Sequence, residues 1–99
     1  MLVGSDLVFA LIDPATDRLA AFARVLTDGI YLALILDVVV ATGCRGAGLG
    51  RMLIDAIVTH PRVAAVESVE VVCQPELVGF YRRWGFTDDV GRSLLMRRL

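Results

Sequence analysis

The chain has 99 residues, a formal net charge of −1 and an apolar fraction of 57%, with a mean hydropathy of +0.69. That length accommodates one domain, residues 1–99, near the small end of what folds alone, and the near-neutral balance gives no support to nucleic-acid binding, which needs a basic face. All ten basic residues are arginine, so lysine-based chemistry is excluded.

From the N-terminus, Asp6 and Asp13 bracket the first hydrophobic run and no basic flank precedes it, so no signal peptide is expected. Leu7–Ile12 and Leu19–Val25 are apolar runs separated by Asp13-Pro14-Ala15-Thr16-Asp17, a turn-forming sequence, and predict a β-hairpin. The alanines of 19–23 are also compatible with a helix. Thr27-Asp28-Gly29 predicts a second turn. Ile30–Val40 is rich in Leu, Ile and Val and reads as a strand buried on both faces. This longest apolar stretch is interrupted by Asp37 and falls short of the roughly 20 residues a membrane span requires.

Glycine then dominates. Gly43, Gly46, Gly48 and Gly50 fall within eight residues, flanked by Arg45 and Arg51. Leu49, Met52, Leu53, Ala56 and Ile57 follow at helical spacing to about Thr59, and His60-Pro61 ends the helix. A strand, a glycine turn and a helix start aim backbone N–H groups and a helix dipole at one point, a geometry suited to phosphate. The dinucleotide fingerprint is not met, because Gly46, Gly48 and Gly50 are spaced Gly-x-Gly-x-Gly, and no Gly-Lys-Ser/Thr exists for a P-loop. Ser68–Cys73 predicts a further strand. Glu76–Trp84 predicts a helix with Leu77, Phe80, Tyr81 and Trp84 on one face and Gly85 at its C-terminal cap. Leu94–Met96 can form a last strand. The expected order is β-β-β-α-β-α-β, a single α/β (α+β) domain.

Arg45-Gly46-Ala47-Gly48-Leu49-Gly50, followed downstream by Phe80-Tyr81-Arg82-Arg83-Trp84-Gly85-Phe86, resembles the paired motifs of the GCN5-related N-acetyltransferases: Arg/Gln-x-x-Gly-x-Gly/Ala, then Phe-Tyr-x-x-x-Gly-Phe. The resemblance covers roughly residues 5–98. It implies a mixed, mostly antiparallel sheet flanked by helices, acetyl-CoA as donor, and direct transfer to an amine acceptor. By that resemblance Gly46, Ala47, Gly48, Leu49 and Gly50 hold the pyrophosphate, with a helix from Ala47 adding its dipole and Arg45 and Arg51 adding charge. The edge of Val38, Val39 and Val40 bonds the pantetheine arm as an added strand would. Tyr81 is the implied general acid toward the leaving thiolate. Asp37, an acid in an apolar strand, is either the base or a bulge residue bonded to backbone.

Other residues read as structural. His60 suits the end of a helix, and Cys73 a small core position; Cys44 lies beside the turn; Arg82 and Arg83 fit a solvated face within reach of phosphates. The two cysteines have neither metal-ligand spacing nor a disulfide framework, so no metal is expected and free thiols in the cytoplasm are. The sequence starts near the family's second strand, so the acceptor site that earlier elements wall in the family is either open to a large substrate such as a peptide or walled by a second copy, which the high apolar content favours. The alternative is a module of the same fold that binds acyl-CoA or a protein partner without turnover. Ala41-Thr42-Gly43-Cys44 departs from the family's proline and acidic residue there, which makes the loop more flexible.

Overall fold

The computed structural model describes residues 5–44, 48–91 and 96–99. Four strands form one sheet in the order β1-β2-β3-β4: β1 Ser5–Asp13, β2 Arg18–Thr27, β3 Leu32–Val40 and β4 Ser68–Val71. The first two pairings are antiparallel and the last is parallel, a mixed and mostly antiparallel sheet as expected. The crossover from β3 to β4 carries α1, Leu49–Thr59, and a single turn α2, Pro61–Ala64. Among the described residues no helix is long and apolar enough to cross a membrane.

The first hairpin closes where the turn sequence placed it. Asp13 accepts from Asp17 N–H at 2.8 Å through its carbonyl and from Ala15 N–H at 2.9 Å through its carboxylate. Asp17 takes the left-handed conformation (φ 56°), which aspartate tolerates better than most residues. The second turn is built by Asp28, whose Oδ1 accepts from the backbone N–H groups of Ile30, Tyr31 and Leu32 at 2.8, 2.8 and 3.2 Å. Those bonds hold its carboxyl below the ordinary value of 3.8, the Ile30 bond contributing most. A carboxyl lowered on folding stabilises fully above its unfolded pKa, and that support is lost as pH falls through the lower folded value. Asp28→Asn is therefore expected to melt at a lower temperature than the parent at neutral pH. The gap should narrow below pH 3.8 in thermal melts recorded across the acid range.

One face of the sheet carries the core. Ala21, Ala23 and Val25 of β2 and Ala33 and Ile35 of β3 meet Leu53, Ile54 and Ile57 of α1, all buried. Fully burying each of the three large α1 side chains contributes about 1.5–3 kcal/mol. The opposite face is uncovered by any described element, so β3 is not buried on both sides as its sequence suggested. Ala33 and Ile35 are buried while Leu34 and Leu36 are half-exposed, and Ile30 and Tyr31 precede the strand in the turn.

The chain after β4 differs most from expectation. β4 stops at Val71 rather than Cys73. The anticipated helix Glu76–Trp84 is a broken coil: a 3-10 turn Pro75–Leu77, one α-turn α3 at Val78–Tyr81, and a second 3-10 turn Arg82–Trp84. Leu77 faces solvent, so the apolar face starts at Val78. Gly79 inside the segment and Pro75 at its start weaken α-helical continuity. Gly85 does terminate it in the left-handed conformation (φ 86°). Leu94 and Leu95 of the last expected strand lie outside the described residues, and Met96 is exposed and outside any strand.

Candidate functional site

The site begins with a fault in β3. Phe22 pairs with Val39 and Arg24 with Leu36, so Asp37 and Val38 together oppose Ala23. This is a β-bulge, with Asp37 in the left-handed conformation (φ 55°). Asp37 is exposed, and among the described residues its carboxylate accepts no hydrogen bond. The expected cost of burying it is therefore absent, as is the backbone bond of the structural alternative. The bulge also resets the alternation of the strand. Val38 and Val40 turn toward the core, and Val39 turns out to solvent.

Pairing between β3 and β4 ends at Ile35 and Val71, just before the bulge. From Leu36 to Val40 the β3 edge facing β4 has no strand partner among the described residues. Backbone donors and acceptors on that edge are left for a guest.

β3 runs through Ala41 into a 3-10 turn, Thr42–Cys44, and α1 opens at Leu49. The helix thus starts two residues later than expected. Its cap is Gly48, left-handed at φ 76°, with no side-chain cap on the first-turn N–H groups. A Cβ on Gly48 would meet nothing within 4 Å, so the backbone angle rather than crowding requires glycine there. Gly50 differs: a Cβ there would stand 3.4 Å from Cζ of Phe80. Arg51 is exposed in the first turn of α1. Arg45, Gly46 and Ala47, and the side chain of Cys44, lie outside the described residues.

The aromatic signature is tied to this helix. Phe80 packs on Gly50, and Trp84 Nε1 donates to Asp55 Oδ1 at 2.6 Å. Phe80 stacks edge-on with Tyr81 and Trp84, and Tyr81 with Phe86. The Trp84–Asp55 bond was not anticipated, although Asp55 on the outer side of an apolar helix was a legible acceptor. Tyr81 is 4% exposed. Burial, and then the nearby Cys73 thiol, push its phenol above the ordinary 10.0. Tyr81 and Cys73 both line a groove of about 900 Å³ beside β4, with Val71, Val78, Trp84 and Phe86. The two motifs are brought together through α1, whereas no hydrogen bond joins Tyr81 to Asp37 among the described residues.

The remaining sequence candidates are structural. His60 caps differently than expected: its backbone N–H donates to Ile57 O at 3.1 Å, while Nδ1 accepts from Arg62 N–H at 3.2 Å and so caps α2. Its ring stacks edge-on with Phe9. Arg82 pairs with Asp88 at 2.9 Å on the surface, and Arg83 is exposed. Among the described residues no cluster of His, Cys, Asp and Glu could hold a metal.

Comparison with known proteins places this geometry. Residues 4–96 match the family model of the acetyltransferase (GNAT) domain. The chain is 42% identical over 72 residues to the chloroplastic serotonin N-acetyltransferase 2 of Oryza sativa subsp. japonica, covering 73% of this chain and 36% of the relative. It is 38% identical over 93 residues to glucosamine 6-phosphate N-acetyltransferase 1 of the same plant, covering 87% of this chain and 56% of the relative. The structure superimposes with a TM-score of 0.82 on a Xanthomonas campestris pv. campestris protein described as belonging to the GNAT family, at 32% identity, covering 95% of this chain and 65% of that one. The chain spans about a third to a little over half the length of these two rice relatives.

Proposed function

On the premise that the chain belongs to the GNAT acetyltransferase family, we propose that it is an N-acetyltransferase moving an acetyl group from acetyl-CoA to a primary amine. The observation that carries the reading is the β3 edge from Leu36 to Val40, left open beside a helix capped by a left-handed glycine. The open edge suits the amides of a pantetheine arm, and the bare N–H groups at the start of α1 suit a pyrophosphate. Arg45, Gly46, Ala47, Gly48, Leu49, Gly50 and Arg51 would hold the phosphates, and Val38, Val39 and Val40 the arm. Acetyl-CoA supplies the thioester and leaves as the CoA thiol.

Each remaining role belongs to a residue of the chain. A backbone N–H at the bulge is suited to polarise a carbonyl oxygen. Tyr81, with its phenol pKa raised, keeps its proton throughout the neutral range and has one to give to a departing sulfur. Transfer from a phenol above 10 to a thiol near 8.5 runs uphill, which a formed hydrogen bond offsets. Asp37, exposed and without a hydrogen-bond partner among the described residues, is placed to take a proton from an ammonium directly or through water. The acceptors named for the two rice relatives, serotonin and glucosamine 6-phosphate, are both primary amines and make the first screen. A homo-oligomer belongs to the same proposal, supported by Val8, Ile12, Leu19 and Val39, which stand exposed.

Calorimetric titration with acetyl-CoA, run beside CoA and ATP, tests the donor. Micromolar binding of acetyl-CoA and CoA, with none of ATP, is expected. No binding of acetyl-CoA would overturn the transferase reading. Binding without turnover of any amine would favour the non-catalytic module.

A further inference from the structure

Arg24 stands in the middle of β2 on the face away from α1, paired with Val8 on one side and Leu36 on the other. It is flanked on its own strand and face by Phe22 and Leu26, so its immediate surroundings are apolar. Its Nε is buried and meets no hydrogen-bond acceptor, and among the described residues the guanidinium has no ion-pair partner. Arg24 as a whole is half-buried; a guanidinium with its Nε shut off from water on an apolar surface is stabilised when an anion meets it, and a planar oxyanion meets it with two bonds.

The position matters as much as the deficit. Leu36, opposite Arg24, immediately precedes the Asp37 bulge where β3 parts from β4. Adjacent strands lie about 4.8 Å apart, so an arginine side chain on β2 reaches the stretch of β3 that borders the open edge. A molecule held by Arg24 would lie across β3, with its other end at the bulge. Exposed Val39, paired with Phe22 beyond the bulge, extends the apolar floor for the body of such a molecule.

We propose that Arg24 is a specificity residue that selects acceptor amines carrying an oxyanion, either a carboxylate or a phosphate. The proposal rests on the acetyltransferase reading and narrows its acceptor class. The anion docks on the guanidinium, and the amine is thereby presented at the lip of the gap beside Asp37.

Two matched pairs of amines test it and separate the anion sources: glucosamine 6-phosphate against glucosamine, and 5-aminopentanoate against pentylamine, in each of which the anion and the amine lie at opposite ends. Each is titrated into protein saturated with CoA, and each is assayed for release of CoA thiol from acetyl-CoA. The anionic member of at least one pair is expected to bind and react about 10–100-fold better, the range of a charge-assisted hydrogen-bond pair. Arg24→Gln should collapse that ratio toward one through KM rather than kcat. Arg24→Lys, which keeps the charge but not the fork, should restore part of it. Circular dichroism establishes that both variants fold. Equal binding of anionic and neutral members, or an unchanged ratio in Arg24→Gln, overturns the proposal, whether or not turnover is seen. Failure of acetyl-CoA itself to bind is a separate result, and it removes the transferase reading from which the proposal starts.

Discussion

Phenylalanine in place of Tyr81 is expected to lower kcat for acetyl transfer by about 10²–10⁴-fold, the range contributed by a positioned general acid, while leaving acetyl-CoA affinity nearly unchanged. The asymmetry follows from where the hydroxyl sits. The ring is held by Phe80 and Phe86 edge-on, contacts that phenylalanine keeps. In the proposed binding mode the phenol is none of the donor-binding groups, which are backbone at β3 and at the start of α1 together with Arg45 and Arg51. Stopped assays of thiol release, paired with calorimetry, read the two quantities separately. The pH profile gives a second signature. Burial and the neighbouring Cys73 raise the phenol above 10.0, so loss of the acid form should depress turnover only in strongly alkaline solution, and the variant should lack that limb. Equal turnover of the two proteins would remove Tyr81 from the mechanism and leave it as a core residue.

Alanine at Leu53 should cost about 2–5 kcal/mol, as for other fully buried leucines. Leu53 has no exposed surface and belongs to the buried cluster with Ile54, Ile57 and the sheet residues Val25 and Ile35. For a domain of this size the loss corresponds to a fall in Tm of about 10–30 °C, against a total stability of about 5–15 kcal/mol. Denaturant unfolding should show a lower midpoint at an unchanged slope. The same helix carries the glycine-capped start, so the two ends of the prediction are linked. Acetyl-CoA at a hundred times its Kd should restore about 2.7 kcal/mol. A shift below about 1 kcal/mol would mean that α1 contributes less to the core than its burial indicates.

Local chemistry made much of this structure legible before any coordinates. Asp13-Pro14 and Thr27-Asp28-Gly29 marked both turns, His60-Pro61 ended α1, and Gly85 ended the aromatic segment. Each of these signals acts within a few residues. What escaped the sequence depends on distant partners. The apolar run of β3 suggested cover on both sides, because composition reports the hydrophobicity of a strand and not which of its faces meets a helix. The coil from Pro75 to Trp84 was read as one helix from its aromatic spacing. Besides Pro75 and Gly79, which weaken the helix locally, the segment is held by Phe80 on Gly50 and Trp84 on Asp55, contacts made across the crossover. The two motifs are visible as a pair, and an acid in an apolar strand already admits a bulge at Asp37, which the structure has, though without the backbone bond and with a left-handed backbone that nothing local marks. Nothing in the sequence around Arg24 marks it, because one arginine in an apolar strand carries no local sign of which partners its face will meet.

The extra residue at Asp37 acts on the sheet as a dislocation acts in a crystal. One inserted site shifts the β2–β3 register by one residue, after which pairing resumes through Val39 and Val40, whereas on the other side the pairing with β4 has ended at Ile35. The opening beside β4 thus begins next to a change in the count of residues along β3. Substitutions along Leu36–Val40 can reshape that edge, whereas a deletion at Asp37 would remove the extra residue itself. A chain shortened by that one residue would carry the same strands and the same helix, with the seam between β3 and β4 free to zip closed.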